Sequence, residues 1–74
     1  MNLNELKNGQ SAKVKKIIGD MASKKKLMDM GLTKNAVVTM RKAAPLGDPI
    51  EVHLRGYELT LRKKDAAMIE IEMM

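Results

Sequence analysis

The chain has 74 residues, room for one domain over residues 1–74, because a chain this short buries only about 60% of its unfolded surface and cannot divide that core. It lacks cysteine and has one aromatic residue, Tyr57, which excludes a disulfide framework, a thiolate metal site and an aromatic core. A net charge of +5 points to an acidic partner, a nucleic acid or an anionic membrane surface without choosing among them.

Leu3 to Leu6 fits one helical turn, with Asn2 as N-cap and Glu5 placed to complete a capping box. The N-terminal stretch carries charges where a secretory leader needs an apolar core, and no window approaches the about 20 apolar residues of a membrane-spanning helix. The expectation is a cytosolic protein. After Asn8-Gly9, Ser11 to Ile18 places Ala12, Val14, Ile17 and Ile18 among lysines, a strand whose alternation slips once, as at a bulge. Met21 to Met30 loses the alternation and is rich in helix formers, so it predicts a short helix with Asp20 as N-cap and Gly31 just past its end. Lys24, Lys25 and Lys26 fan over about 200° of that helix, on the side away from Leu27.

Asn35 tolerates positive φ in a turn, and Ala36 to Ala43 then reads as a strand. Two prolines and a glycine make Pro45-Leu46-Gly47-Asp48-Pro49 an exposed loop. Ile50, Val52 and Leu54 alternate with polar residues, as do Tyr57, Leu59 and Leu61 after Gly56, which predicts a β-hairpin with one wet face. Asp65 is the expected cap of a single turn, and Ile69 and Ile71 alternate with Glu70 and Glu72 in a closing strand. The fold class is therefore mainly β with a short helix. Five strands bury their edges best by curling into a small barrel, with a helical insertion after the first strand and a core drawn from Val14, Ile17, Val38, Val52, Leu54, Leu59, Leu61, Ile69 and Ile71.

Catalytic chemistry finds few materials here: one histidine, two serines, no cysteine and glycines that fall singly, so neither a hydrolase triad nor a phosphate-cradling loop is written. The chain is expected not to be an enzyme and to need no cofactor. Glu51 and His53 lie two apart on one strand and share a face as two metal ligands would; they are the weak candidates for a metal site, with Arg55 next along that face opposing a cation. Eight methionines suggest soft-metal binding, but no regular array appears and core filling is the simpler expectation for most of them. A basic barrel that binds nucleic acid is a rival reading, although Tyr57 alone gives no stacking platform and such binding would rest on phosphate contacts.

Three segments carry a family resemblance: Leu27-Met28-Asp29-Met30-Gly31-Leu32, Ala44-Pro45-Leu46-Gly47-Asp48-Pro49-Ile50 and Leu61-Arg62-Lys63-Lys64-Asp65-Ala66. In order and spacing they resemble the FeoA family over Leu3 to Ile71, departing at Asn35, where the family commonly has glycine. The resemblance implies an SH3-like barrel acting in the cytosol beside FeoB, a membrane ferrous-iron transporter with a GTP-binding domain. It also implies kinship with the C-terminal domain of DtxR-type metal-responsive repressors, which makes a free regulatory module the alternative reading. The expected partner-binding residues are Leu46, Gly47, Asp48 and Pro49 of the loop, with Lys24, Lys25, Lys26 and Met28 of the helix. Proline restricts the loop before it binds, Leu46 is its apolar anchor, and the lysines steer an acidic partner. Such a chain is expected to be monomeric or weakly self-associating, without a stable nucleic-acid complex.

Overall fold

The computed structural model describes residues 1–74, and the period-2 segments in it form five antiparallel strands: β1 (Ser11–Ile17), β2 (Val37–Ala43), β3 (Ile50–Leu54), β4 (Tyr57–Leu61) and β5 (Ile69–Met73). Helix α1 (Met21–Asp29) follows β1, and the four-residue α2 (Lys63–Ala66) joins β4 to β5. A 3-10 turn at Leu3–Glu5 opens the chain, and both halves of the capping box between Asn2 and Glu5 form. The strand order is β4-β3-β2-β1-β5, so β4 and β5 share no ladder and the curled sheet is not hydrogen-bonded shut. Part of the outer edge of β5 is covered instead: Asn2 bridges Glu70, and the Ile71 N–H donates to the Met1 carbonyl at 2.9 Å.

The slip in β1 is a bulge, since the β1–β5 register shifts between Val14 and Lys16, with Val14 opposite Ile71 and Ile17 opposite Ile69. The extra residue keeps Val14 and Ile17 both facing inward although their spacing is odd. A second shift, between Met40 and Lys42, bends β2 against β3. The β3–β4 hairpin closes through Arg55 and Gly56 at φ 49° and 84°, the two positive values that a tight two-residue turn requires. Asn35 also takes positive φ, 71°, as its place in the turn demands.

The core is aliphatic. Val14, Val38, Val52, Leu54 and Ile69 are essentially inaccessible, and Leu61, Ile71 and Ile17 are buried beside them. Leu3, Leu27, Leu32 and Ala66, which lie outside the strands, are fully buried in the same cluster. Leu59 is only half-buried, packed against the core's margin, because β4 is an edge strand with no neighbour on its outer side. Asp65 does not cap α2: Arg62 occupies the N-cap position without a side-chain bond. The acceptor comes from across the chain, where Asp48 Oδ1 takes the Lys63 N–H at 2.9 Å.

Candidate functional site

The loop between β2 and β3 is braced by its own backbone. Gly47 N–H donates to the Ala44 carbonyl at 2.7 Å and Ala44 N–H to the Pro49 carbonyl at 2.9 Å, while the Asp48–Pro49 bond is cis. Leu46 stands at the tip with 92% of its surface exposed, a large apolar side chain held in water by a closed loop. At the base of the loop lies a groove lined by Ala43, Ala44, Pro45, Pro49 and Ile50 together with the polar Lys42, Glu51 and Thr60. Asp48 faces the other way, into the start of α2, so within the loop it is a structural residue whose carboxylate is already engaged.

Helix α1 begins where Asp20 Oδ1 accepts the Ser23 N–H at 2.8 Å. Hydrogen bonding from Ser23, through its side chain first and its backbone second, holds the Asp20 carboxyl below the ordinary value of 3.8. The helix buries one residue, Leu27. At 100° per residue the three following directions diverge, and the lysines part company accordingly. Lys24 is half-buried and turns into a cleft against β1, Lys25 is exposed, and Lys26 reaches Asp65 of α2 at 3.9 Å. Lys24 is therefore not on the solvent side away from the core, where the sequence reading put all three. Met28 lines the same cleft as Lys24 and remains 48% exposed.

The loop and the helix occupy opposite ends of the β2–β3 ladder. Ala43 pairs with Ile50 at the loop end, whereas the C-terminal end of α1 rests on the β3–β4 turn: Arg55 donates to the Gly31 carbonyl at 3.3 Å and to Thr33 Oγ1 at 2.7 Å, and the Tyr57 hydroxyl donates to the Met30 carbonyl. Helix α2 also touches both regions, through Asp48 to Lys63 and through Asp65 to Lys26.

Glu51 and His53 share the outer face of β3, as their spacing requires, but their neighbours differ from those expected. Arg55 has turned away with the hairpin. His53 Nδ1 lies 2.8 Å from Glu58 Oε1 on β4, directly opposite in register, and the Arg41 guanidinium sits 3.6 Å from the same oxygen. Glu58 was not singled out from the sequence; the hairpin register, counted back from the Arg55-Gly56 turn, identifies it. A histidine and an arginine on one shared carboxylate form a cross-strand polar cluster, and no three His, Cys, Asp or Glu residues converge as metal ligands. No helix is long and apolar enough to cross a membrane.

Comparison with known proteins converges on one family. The model of the FeoA domain matches residues 1–73. A curated fusion protein of Porphyromonas gingivalis, which joins Fe(2+) transport protein A to the Fe(2+) transporter FeoB, is 34% identical over 73 residues; these cover 99% of this chain and 9% of the fusion. Among solved structures, an FeoA-like protein from Clostridium acetobutylicum superposes with a TM-score of 0.92 at 38% identity, covering 100% of this chain and 86% of that one. A Stenotrophomonas maltophilia FeoA complexed with zinc, described as a prokaryotic SH3 domain protein, gives 0.84 at 26% identity, with 97% and 89% coverage. A manganese-dependent transcriptional repressor gives 0.91 over 100% of this chain and 36% of its own, but at 16% identity that likeness shows the fold alone.

Proposed function

The chain belongs to the FeoA family, and from that membership we propose that it is a cytosolic, non-enzymatic accessory domain of ferrous-iron uptake that acts by contact with the cytosolic part of a FeoB-type transporter. The observation that carries the reading is the fusion in Porphyromonas gingivalis, where a domain 34% identical to this chain is covalently joined to the transporter. Covalent linkage holds two modules at an effective concentration of about a millimolar when the linker is short and flexible, so a separate chain acting on the same partner must supply affinity of its own. Leu46 is the anchor: it is 92% exposed, its loop is closed by two backbone hydrogen bonds, and so little ordering entropy opposes its burial by a partner. Gly47 and Pro49 shape that loop, and Asp48 fixes it to α2. The surface of α1 bearing Lys24, Lys25, Lys26 and Met28 forms the second contact. Because the two regions lie at opposite ends of the β2–β3 ladder, the partner either spans the α2 side or engages them separately.

The test is a pull-down with the transporter's cytosolic domain, comparing wild type with Leu46→Ser and with Lys24, Lys25 and Lys26 all changed to Glu. Leu46→Ser is expected to lose most of the binding, and the triple variant to bind more slowly and with a weaker salt dependence. Two folded variants that both bind as wild type does would remove this surface from the account.

A further inference from the structure

Charge is divided unevenly along the chain: residues 1–44 carry ten Lys or Arg against three Asp or Glu, whereas residues 45–74 carry four against six. In the β1–β5 register two of these lysines stand opposite acids, Lys13 across from Glu72 and Lys16 across from Glu70, though neither forms a salt bridge. Four of the lysines, Lys16 among them, gather at one concavity. Between β1 and α1 lies a cleft of about 220 Å³ whose apolar floor is Val14, Ile17 and Leu32, with Met28 on one wall. Lys15, Lys16, Lys24 and Lys34 line it and no carboxylate does. None of the four lies within salt-bridge distance of an acid.

The β1 bulge and the turn before β2 bring the cations of this cleft together. The β1 bulge adds Lys15 between the inward-facing Val14 and Ile17, and it falls where the Asn35 and Ala36 backbone is pinned to Val14 by hydrogen bonds of 2.8 Å in each direction. That pinning holds the neighbouring Lys34 beside β1. Met21, Lys24, Lys25 and Met28 follow one another at helical spacing along α1, and the two methionines, 80% and 48% exposed, are adaptable apolar side chains on that lysine-bearing face.

We propose that this cleft is a docking site for an acidic protein segment that inserts one apolar side chain between β1 and α1 and sets its flanking carboxylates against Lys15, Lys24 and Lys34. The combination selects the occupant. An apolar floor ringed by cations rewards a side chain that is apolar at its tip and acidic on both sides, while a planar bilayer cannot enter a concavity. The inference deepens the accessory reading and rests on it only for the natural source of the segment, the transporter's cytosolic part.

The experiment titrates the isotope-labelled full chain, followed by amide NMR, with a synthetic peptide carrying one leucine flanked on each side by two glutamates. A control peptide has serine in place of the leucine. Perturbed amides are expected to concentrate in residues 14–17 and 24–34, and the serine peptide is expected to bind at least about tenfold more weakly, as loss of a buried apolar side chain implies. Lys15→Glu with Lys34→Glu should weaken the leucine peptide by about tenfold or more, while Lys63→Glu with Lys64→Glu should leave it within about threefold. Lys34→Glu alone, at an exposed loop position, gives the same direction should the double variant misfold. Overturning results are no perturbation at millimolar peptide, perturbation centred on the Leu46 loop, equal binding of both peptides, or equal effects of the two lysine pairs. Binding to phosphatidylserine vesicles that depends on the same lysines, with no peptide binding, also overturns it in favour of a lipid site. Failure here is distinguishable from failure of the accessory reading. A transporter domain that binds wild type and the Lys15/Lys34 variant equally removes the cleft and keeps the family role; peptide binding without transporter binding does the reverse.

Discussion

Leu61 and Leu59 lie on the same strand with the same side-chain chemistry, and the structure assigns them different energies. Leu61 is 2% exposed and faces Ile50 in the ladder; Leu59 is half-buried beside Val52 at the sheet's open edge. Truncation to alanine removes three carbons from each, about 2.4 kcal/mol of transfer free energy at roughly 0.8 kcal/mol per methylene for a fully buried site. A residual cavity raises the cost at Leu61 to about 2–5 kcal/mol, whereas at Leu59 solvent fills the space and the cost falls to roughly 1 kcal/mol. A chain of 74 residues is stable by about 4–11 kcal/mol at the usual 0.05–0.15 kcal/mol per residue, so Leu61→Ala consumes much of the margin. Thermal unfolding followed by circular dichroism should show Leu61→Ala melting about 8–40 °C below wild type, at roughly 4–8 °C per kcal/mol for a domain of this size. Leu59→Ala should lose less than half as much. Equal losses at the two positions, or no loss at Leu61, would refute the assignment of β4 as an open edge with one anchored end.

At Gly31 the backbone sits at φ 103°, and an added Cβ would lie 2.7 Å from the Tyr57 hydroxyl oxygen. Gly31→Ala should therefore cost at least about 1–2 kcal/mol, and Gly31→Ala with Tyr57→Phe should be less destabilised than the two single changes summed, as read from urea titrations. Asp48→Ala should destabilise by about 1 kcal/mol through the orphaned Lys63 N–H, with Asp48→Asn largely sparing it. The Asp20 carboxyl is held below 3.8 in the folded chain by Ser23, so its contribution is fully present above that ordinary value and is lost as pH falls through the lowered one. Melting curves of wild type and Asp20→Ala should accordingly converge as the pH is taken from about 5 to below the lowered value, and a gap that persists unchanged would contradict the cap.

Local signals made much of this fold legible. The Asn2–Glu5 capping box, the Asp20 cap, the slip at Val14 to Lys16 and the positive φ of Asn35 each depend on residues within a few positions, and each forms. What escaped depends on distance in sequence. Asp48 caps α2 from fifteen residues away, which no spacing rule reaches, and Asp65 looked like the cap only because it was near. Arg55 read as a third member of the Glu51–His53 face until the turn gave it positive φ and carried it to Thr33. Leu59 alternated as well as Leu61, but alternation reports which side of a strand a residue is on and not whether the strand has a neighbour. The candidate contact residues were visible as types, an apolar loop tip and a lysine run; their separation to opposite ends of the ladder follows from the strand order, which the sequence does not state.

The central claim is that this chain binds the cytosolic part of a FeoB-type transporter, and the most direct measurement is a fluorescence titration of the labelled chain with that purified domain, with and without guanine nucleotide, at physiological salt. Saturable binding that Leu46→Ser weakens, while its melting curve stays that of wild type, is the predicted result. No affinity in either nucleotide condition, together with binding to RNA at the same salt, would contradict the account and put a nucleic-acid partner in its place.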